Sequence, residues 1–208
     1  MAKKKKGSLQ PLFKVLTLVF CALVVLSFFL PVFSANKDYE LYDENSKTSS
    51  ACLVFVSAEK ATEKQEELLK QRTKGEITTE EYQKQATEYL LIASLKDQDF
   101  EEKSLVAATA WLHFIAAVLA LCCFVIIALS FLGISLDKFA KFVLAGSTLL
   151  LIISLILGLS FLGKETTLKQ TYGTYYVLGF GGVILGLISS AIACVASFLA
   201  SPCKKAKK

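Results

Sequence analysis

Residues 105–132 read LVAATAWLHFIAAVLALCCFVIIALSFL, and this stretch decides the fold class. It contains no Asp, Glu, Lys or Arg, and it is longer than the roughly 20 apolar residues that an α-helix needs to cross a bilayer. Three further apolar segments of similar length occupy residues 12–35, 139–162 and 175–199. The sequence therefore predicts an all-α protein, a four-transmembrane-helix bundle built from these four spans.

The composition agrees with a membrane protein. Hydrophobic residues make up 54% of the 208-residue chain, more than the roughly 45–50% of soluble domains. Most charged residues lie in the basic tails, residues 1–11 and 200–208, and in the long polar segment, residues 36–104. The net charge of +5 therefore does not indicate nucleic-acid binding. The expected partner is the lipid bilayer, with no nucleic acid and no cofactor.

The lysines predict the orientation of the spans. Eleven lysines lie in the two tails, at the start of the first span or beside the short loop between the second and third spans, whereas the opposite short loop carries two. Positive residues in short loops stay in the cytoplasm, and loops beyond about 60 residues translocate largely regardless of charge. We therefore expect a multi-pass plasma membrane protein with both termini cytoplasmic and residues 36–104 extracytoplasmic. The insert has no Asn-x-Ser/Thr sequon, and a bacterial membrane is the expected location.

The first span has an alternative interpretation. A basic start, an apolar run and the letters V-F-S before Ala35 also fit a cleavable signal peptide. The apolar run is longer than the about 7–15 residues of a signal-peptide core, which favours an uncleaved span. Pro31 lies near the far end of this span, where a lost backbone hydrogen bond is easily replaced.

The polar segment contains the stretch LLKQRTKGEITTEEYQKQATEYLL, residues 68–91, which has strong local helix signals. Gly75 follows a polar helical run and can adopt the left-handed conformation that ends a helix. Thr78 is a predicted N-cap, and Glu81, three residues later, completes a capping box. These signals predict a helical-hairpin extracytoplasmic insert between spans 1 and 2.

Further features of the insert are less specific. Ile77 before the cap and Tyr82 after it have the spacing of a hydrophobic staple. Thr62 and Gln65 form a second possible capping box. Residues 51–56, ACLVFV, are compatible with a strand or a buried plug, because their length does not separate the two.

Residues 69–91, with GEITTEEY at 75–82, resemble the SHOCT motif, a short helical hairpin with a G-x-I-T-x-E-E-[FY] core. The resemblance implies a small oligomerisation or tethering element without a catalytic role. The motif usually ends a protein on the cytoplasmic side, whereas here it lies between two spans.

Two features of the spans are candidate sites. Trp111 and His113 both lie about two turns from the start of the second span. His113 is thus an ionisable residue well inside a span, and such a residue is a candidate functional residue. The alternative is a neutral imidazole that is hydrogen-bonded near the interface. The fourth span carries a ridge of small residues at every fourth position, which favours close packing within the chain or, alternatively, a dimer face. The residues of this ridge are Gly182, Gly186, Ser190 and Cys194.

No catalytic or metal-binding signature is found. The six cysteines include no C-x-x-C pair, and no Cys/His spacing matches a metal site. The first functional hypothesis is therefore a non-enzymatic tetraspan scaffold or interaction protein that presents the outer hairpin to a partner or to a second copy. The alternative is a small transporter or channel subunit, with His113 as its intramembrane polar residue.

A third hypothesis is a membrane enzyme with carboxylates at an interface. An acidic cluster at the end of the insert has oxygen ligands that suit a divalent cation, but acids at a helix start are also favoured by the helix dipole. The candidate residues are Asp97, Asp99, Glu101, Glu102, Lys164 and Glu165.

Overall fold

The computed structural model describes residues 9–34, 47–97, 103–133, 137–162 and 181–200. These ranges contain seven helices and one antiparallel pair of short strands. In chain order the elements are α1 (Gln10–Ser27), β1 (Pro31–Ser34), β2 (Lys47–Ser49), α2 (Ser50–Phe55), α3 (Ala58–Thr73), α4 (Thr79–Leu95), α5 (Lys103–Phe131), α6 (Asp137–Leu162) and α7 (Gly181–Ala200).

Four of these helices are long and apolar enough to cross a membrane: α1, α5, residues Phe139–Phe161 of α6, and α7. The prediction of a helical protein with four candidate spans is thus confirmed. Helix α1 ends at Ser27, earlier than the predicted end at residue 35, because Pro31 has no backbone N–H and disfavours helix at the residue before it. The chain continues as strand β1, which pairs with β2. Residues 175–180 of the fourth predicted span lie outside the described residues.

The four long helices form a bundle in which each packs against two others. The contacts run α1–α5–α6–α7 and back to α1. The buried positions of α5 and α7 are mostly small residues, which let the helix backbones approach closely.

Residues 51–56, for which the sequence left a strand or a buried plug open, lie largely in a short helix that follows β2. Helix α2 covers the ACLVF part of residues 51–56, and Ser49 caps it by accepting a hydrogen bond from the Cys52 N–H. The capping box expected at Thr62 and Gln65 is wrong. Ser57 caps α3 one turn earlier, and Thr62 lies inside the helix, where its hydroxyl donates to the Ala58 carbonyl.

Helices α3 and α4 pack together as a helical hairpin. Helix α3 ends in a Schellman motif: the Gly75 N–H donates to the Arg72 carbonyl, and the Glu76 N–H donates to the Gln71 carbonyl. Gly75 has a φ of +75°, which a glycine adopts without a Cβ clash. The turn is thus encoded in consecutive residues.

The hairpin shares a core with the membrane helices. Leu53 of α2 and Leu91 and Leu95 of α4 belong to the same buried cluster as Val106 and Ala110 of α5. Because this cluster continues into the bundle, α2 and the end of α4 are packed onto the bundle and are not tethered by loops alone.

Candidate functional site

His113 is completely buried in the bundle, and both of its ring nitrogens have partners. Its Nδ1 lies 2.8 Å from the Ser50 Oγ, and its Nε2 lies 3.0 Å from the Ser27 Oγ. We call His113, Ser27, Ser50 and the neighbouring Gly186 the His113 junction.

The hydrogen bonds of Ser27 favour one arrangement of the protons on the His113 ring and the two serine hydroxyls. The Ser27 hydroxyl donates to the Val24 carbonyl at 2.7 Å, so its proton is already used. With the Ser27 proton on the Val24 carbonyl, the tautomer of His113 that is protonated at Nε2 donates to the Ser27 Oγ, and its Nδ1 accepts the hydroxyl proton of Ser50. A neutral imidazole is satisfied on both sides by this arrangement, as buried polar groups in proteins generally are.

The junction joins four separate elements. Ser27 is the last residue of α1, Ser50 the first of α2, His113 lies on α5 and Gly186 on α7. A Cβ at Gly186 would lie 2.6 Å from the Ser27 Oγ and 3.4 Å from His113 Nε2. Only a glycine therefore fits beside the hydrogen-bonded side chains without a shift of the neighbours.

A backbone hydrogen bond and an aromatic contact reinforce the attachment of α2. The Ala51 N–H donates to the Phe28 carbonyl at 3.2 Å. The Phe28 ring meets the His113 ring edge-on, with centroids 5.7 Å apart. The start of the insert is thereby fixed to the end of α1 by main chain and side chains together.

The small residues of α7 make their contacts within the chain. A Cβ at Gly182 would lie 2.7 Å from the Ser27 carbonyl oxygen and 2.9 Å from that of Leu30, so the backbone of α1 passes directly over this glycine. The Ser190 hydroxyl lies 2.8 Å from the hydroxyl of Thr148 on α6. Cys194 is half-buried and packs against a separate cluster of buried side chains in the bundle.

Serines of α6 connect it to α5. The Ser147 hydroxyl donates to the Ala116 carbonyl at 3.0 Å, and the Ser154 hydroxyl donates to the Thr109 carbonyl at 2.9 Å. Both bonds use the second acceptor position of a carbonyl that belongs to a neighbouring helix. They link the two helices at two levels of the bundle.

The predicted cap of the hairpin has the geometry of a capping box. The Thr78 N–H donates to Glu81 Oε2 at 2.9 Å, and the Glu81 N–H donates to Thr78 Oγ1 at 3.2 Å. The hydrogen bonds from the Thr78 backbone and side chain lower the pKa of the Glu81 carboxyl. The Tyr82 ring lies under the Arg72 guanidinium, 4.7 Å from centroid to Cζ, and Ile77 is half-buried.

A lysine side chain joins the two ends of the hairpin. The Lys96 ammonium, just after α4, donates to the Val56 carbonyl, which precedes α3. Partial burial lowers the pKa of Lys96. The two ends of the hairpin are therefore held next to each other.

In the described ranges, no group of three or more His, Cys, Asp or Glu side chains is placed to hold a metal ion. Of the acidic cluster, Asp97 is the last described residue of its range, and Asp99, Glu101 and Glu102 lie outside the described residues. Lys164 and Glu165 lie outside them as well.

Sequence reasoning identified His113 but not its partners. Ser27 stands 86 positions from His113 and Ser50 stands 63 positions away, so no local spacing connects the three residues. One available signal was that a buried imidazole within a span must find hydrogen-bond partners. Many serines and threonines lie in or beside the apolar stretches, so the sequence does not single out Ser27 and Ser50.

No family model, no curated protein and no solved structure matches this chain. The resemblance to the SHOCT motif therefore rests on residues 69–91 alone.

Proposed function

We propose that this multi-pass membrane protein is a non-enzymatic tetraspan scaffold that presents the α3–α4 hairpin, on the extracytoplasmic side, to a protein partner or to a second copy. The observation that carries the proposal is the attachment of the insert at the His113 junction. A scaffold must hold its binding element at a fixed position relative to the membrane, and Ser50, Ala51 and the shared core do this.

The surface of the hairpin supports a role in binding. Between α3 and α4 lies a cleft of about 670 Å³ whose lining residues include Glu59, Glu63 and Glu66 of α3. The Nε2 of Gln65, which also lines this cleft, is buried and has no hydrogen-bond partner among the described residues. A buried donor without a partner costs about 1–3 kcal/mol, and a bound acceptor would remove that cost.

Excision of the hairpin tests the scaffold role. Because Lys96 bonds to Val56, the ends of the hairpin are adjacent, and residues 58–95 can be replaced by a short Gly-Ser linker. We expect the four spans to insert as before and the cross-linked partner or dimer band of the full chain to disappear. Unchanged cross-linked species in cells would contradict the proposal.

Charge reversal in the cleft is a finer test. The triple change of Glu59, Glu63 and Glu66 to lysine should abolish cross-linking without unfolding the hairpin. Glu76→Lys is the matched control, because Glu76 is exposed in the turn and outside the cleft. Equal loss of cross-linking in the triple variant and in the control would indicate a general charge effect and not a specific cleft.

The proposed orientation has its own test. In a chain whose six natural cysteines are replaced, a Leu69→Cys substitution on exposed α3 should react with a membrane-impermeant maleimide in intact cells, and Lys6→Cys only after permeabilisation. The reverse pattern would place the hairpin in the cytoplasm.

The alternative function, a small transporter or channel subunit, is favoured by one observation. Ser50, His113 and Ser27 form a hydrogen-bonded chain inside the bundle, and polar groups within spans often mark substrate or ion pathways. Proton or solute flux into liposomes that is lost in His113→Ala would favour this function over the scaffold.

A further inference from the structure

One boundary of the membrane-embedded layer is marked by two lysines. The Lys14 ammonium of α1 donates to the Ser130 hydroxyl at 2.9 Å and lies 5.9 Å from the Phe131 ring centroid. At the same end of the bundle, the Lys141 ammonium of α6 lies 5.0 Å from the centroid of the Phe198 ring. Lysines near the ends of spans extend their ammonium groups toward the headgroups, so this end lies at one interface.

The opposite boundary follows from the length of α5. Trp111, the only tryptophan of the chain, is 50% exposed on the outside of the bundle. At 1.5 Å per residue, Trp111 lies about 28 Å from Ser130 along the helix, close to the roughly 30 Å thickness of the hydrocarbon layer. Tryptophan is enriched where this layer meets the headgroups. Trp111 and Ser130 thus bracket one membrane thickness.

An aromatic cluster surrounds Trp111 at this second boundary. The Trp111 ring packs edge-on against Phe114, with centroids 5.6 Å apart, and Phe114 contacts Phe55 of α2 at 5.7 Å and Phe28 at 5.5 Å. Phe29 adds a further ring beside Phe28. The cluster joins α1, α2 and α5 at one level of the bundle.

Phe55 is unusual for the insert. It is 62% exposed, although the described residues of the insert, 47–97, leave only one other large hydrophobic side chain exposed, Leu69. Phe28 and Phe114, which Phe55 contacts, each pack against a further exposed ring: Phe29 at 60% and Trp111 at 50%. The exposed ring of Phe55 thus belongs to the same aromatic cluster as the exposed rings of Phe29 and Trp111.

We propose that α2 is seated in the lipid–water interface, with the Phe55 ring in contact with lipid at the level of Trp111. The occupant of this apolar face is the lipid surface itself. The hairpin then leaves the membrane from headgroup level. This inference rests on the four spans and not on the scaffold role, so either can fail without the other.

The single tryptophan makes the depth measurable. The full chain is reconstituted in phosphatidylcholine that is brominated either near the headgroup or near the chain end, and tryptophan emission is recorded. Phe55→Trp is combined with Trp111→Phe to move the reporter to α2. Leu121→Trp with Trp111→Phe is the deep control, because Leu121 is 50% exposed near the middle of α5. Leu69→Trp with Trp111→Phe is the aqueous control.

We expect tryptophan at 55 and at 111 to be quenched about twofold more by shallow than by deep bromine, as for aromatic rings at headgroup level. The reporter at 121 should show the opposite order, and the reporter at 69 should respond only to a water-soluble quencher. A reporter at 55 that behaves like the one at 69, or like the one at 121, would overturn the proposal.

A second measurement tests the same proposal without a tryptophan at position 55, in case the Phe55→Trp variant misfolds. Phe55→Cys in a chain whose six natural cysteines are replaced carries a nitroxide label. Collision of the label with oxygen should exceed collision with a water-soluble nickel chelate. The reverse order would place α2 in water and overturn the proposal equally.

Discussion

The bundle and the hairpin are both helical, but different interactions hold them together. Within the bundle, polar side chains reach a neighbouring helix: Ser154 donates to the Thr109 carbonyl, and His113 bonds to Ser27 and Ser50. Within the hairpin, the caps and the turn are formed by hydrogen bonds between residues close in sequence, as between Thr78 and Glu81, and the Lys96 bond to Val56 joins the two ends. The bundle is thus specified by contacts between distant residues and the hairpin largely by local sequence.

The solvent explains this difference. In lipid, a side-chain hydroxyl or imidazole has no water to bond, so it is satisfied by another helix or by its own helix backbone. In water, packing between two polar helices gains little, and caps and end motifs decide whether short helices form. Changes in the bundle should therefore act on the whole fold, and changes in the hairpin should act locally.

The largest effect is expected for His113→Ala. The change leaves a cavity in the bundle, removes the hydrogen bond that the Ser50 hydroxyl makes to the imidazole, and leaves the Ser27 hydroxyl with its bond to the Val24 carbonyl alone; together this should cost about 3–4 kcal/mol of the free energy of unfolding. Unfolding in detergent micelles on titration with SDS, followed by circular dichroism, measures the loss. Leu121→Ala is the control, because Leu121 is half-exposed to lipid and holds no partner in the junction. Equal losses in the two variants would show that the hydrogen bonds of His113 contribute little.

A slightly smaller effect is expected for Gly182→Ala. The added methyl group would lie 2.7 Å from the Ser27 carbonyl oxygen, so α1 and α7 must separate, at a cost of about 1–3 kcal/mol. Gly146→Ala is the matched control, because the nearest atom to its Cβ is Leu119 Cδ1 at 3.9 Å, an ordinary contact. The same unfolding titration should distinguish the two glycines, and a Gly182→Ala protein as stable as the Gly146→Ala protein would contradict the close approach of the helices.

In the hairpin, Thr78→Ala should cost about 1 kcal/mol, the usual loss for an N-cap. The loss should be local: amide hydrogen exchange should quicken in the first turns of α4, while the amides of α5 and α6 keep their protection. Thr79→Ala is the control, since Thr79 is the first residue of α4 and not its cap. Faster exchange throughout the spans would mean that the hairpin and the bundle unfold as one unit.

The same contrast explains what the sequence could predict. Gly75 and the Thr78–Glu81 pair were recognisable because each signal lies within a few residues. Four candidate spans were recognisable because length and apolar composition suffice for such an assignment. The Thr62–Gln65 box failed because Ser57 offers an equally good cap one turn earlier, and local rules alone do not rank competing caps.

Most of the parts that the sequence did not predict depend on long-range contacts. The early end of α1 follows from Pro31, a local signal whose effect on the helix is larger than predicted. The β1–β2 pair, in which Pro31 lies opposite Ser49, is a contact between distant residues that no local spacing indicates. Helix α2 was ambiguous because six apolar residues suit several structures. Its helical form depends on the cap of Ser49 and on the bond from Ser50 to His113.

The smallest expected effect concerns acid and the capping box. Because hydrogen bonds from Thr78 hold the pKa of Glu81 below its ordinary value of 4.5, the stabilisation of α4 by this carboxylate is complete above that pH. It is lost as the pH falls through the lower pKa of the folded state, since protonation removes the charged acceptor. The protection of the first-turn amides of α4, corrected for the intrinsic pH dependence of exchange, should thus be constant near neutrality and should decrease as the pH falls below 4.5. Glu81→Gln should show no such acid step, and an equal step in both proteins would assign it to another carboxylate.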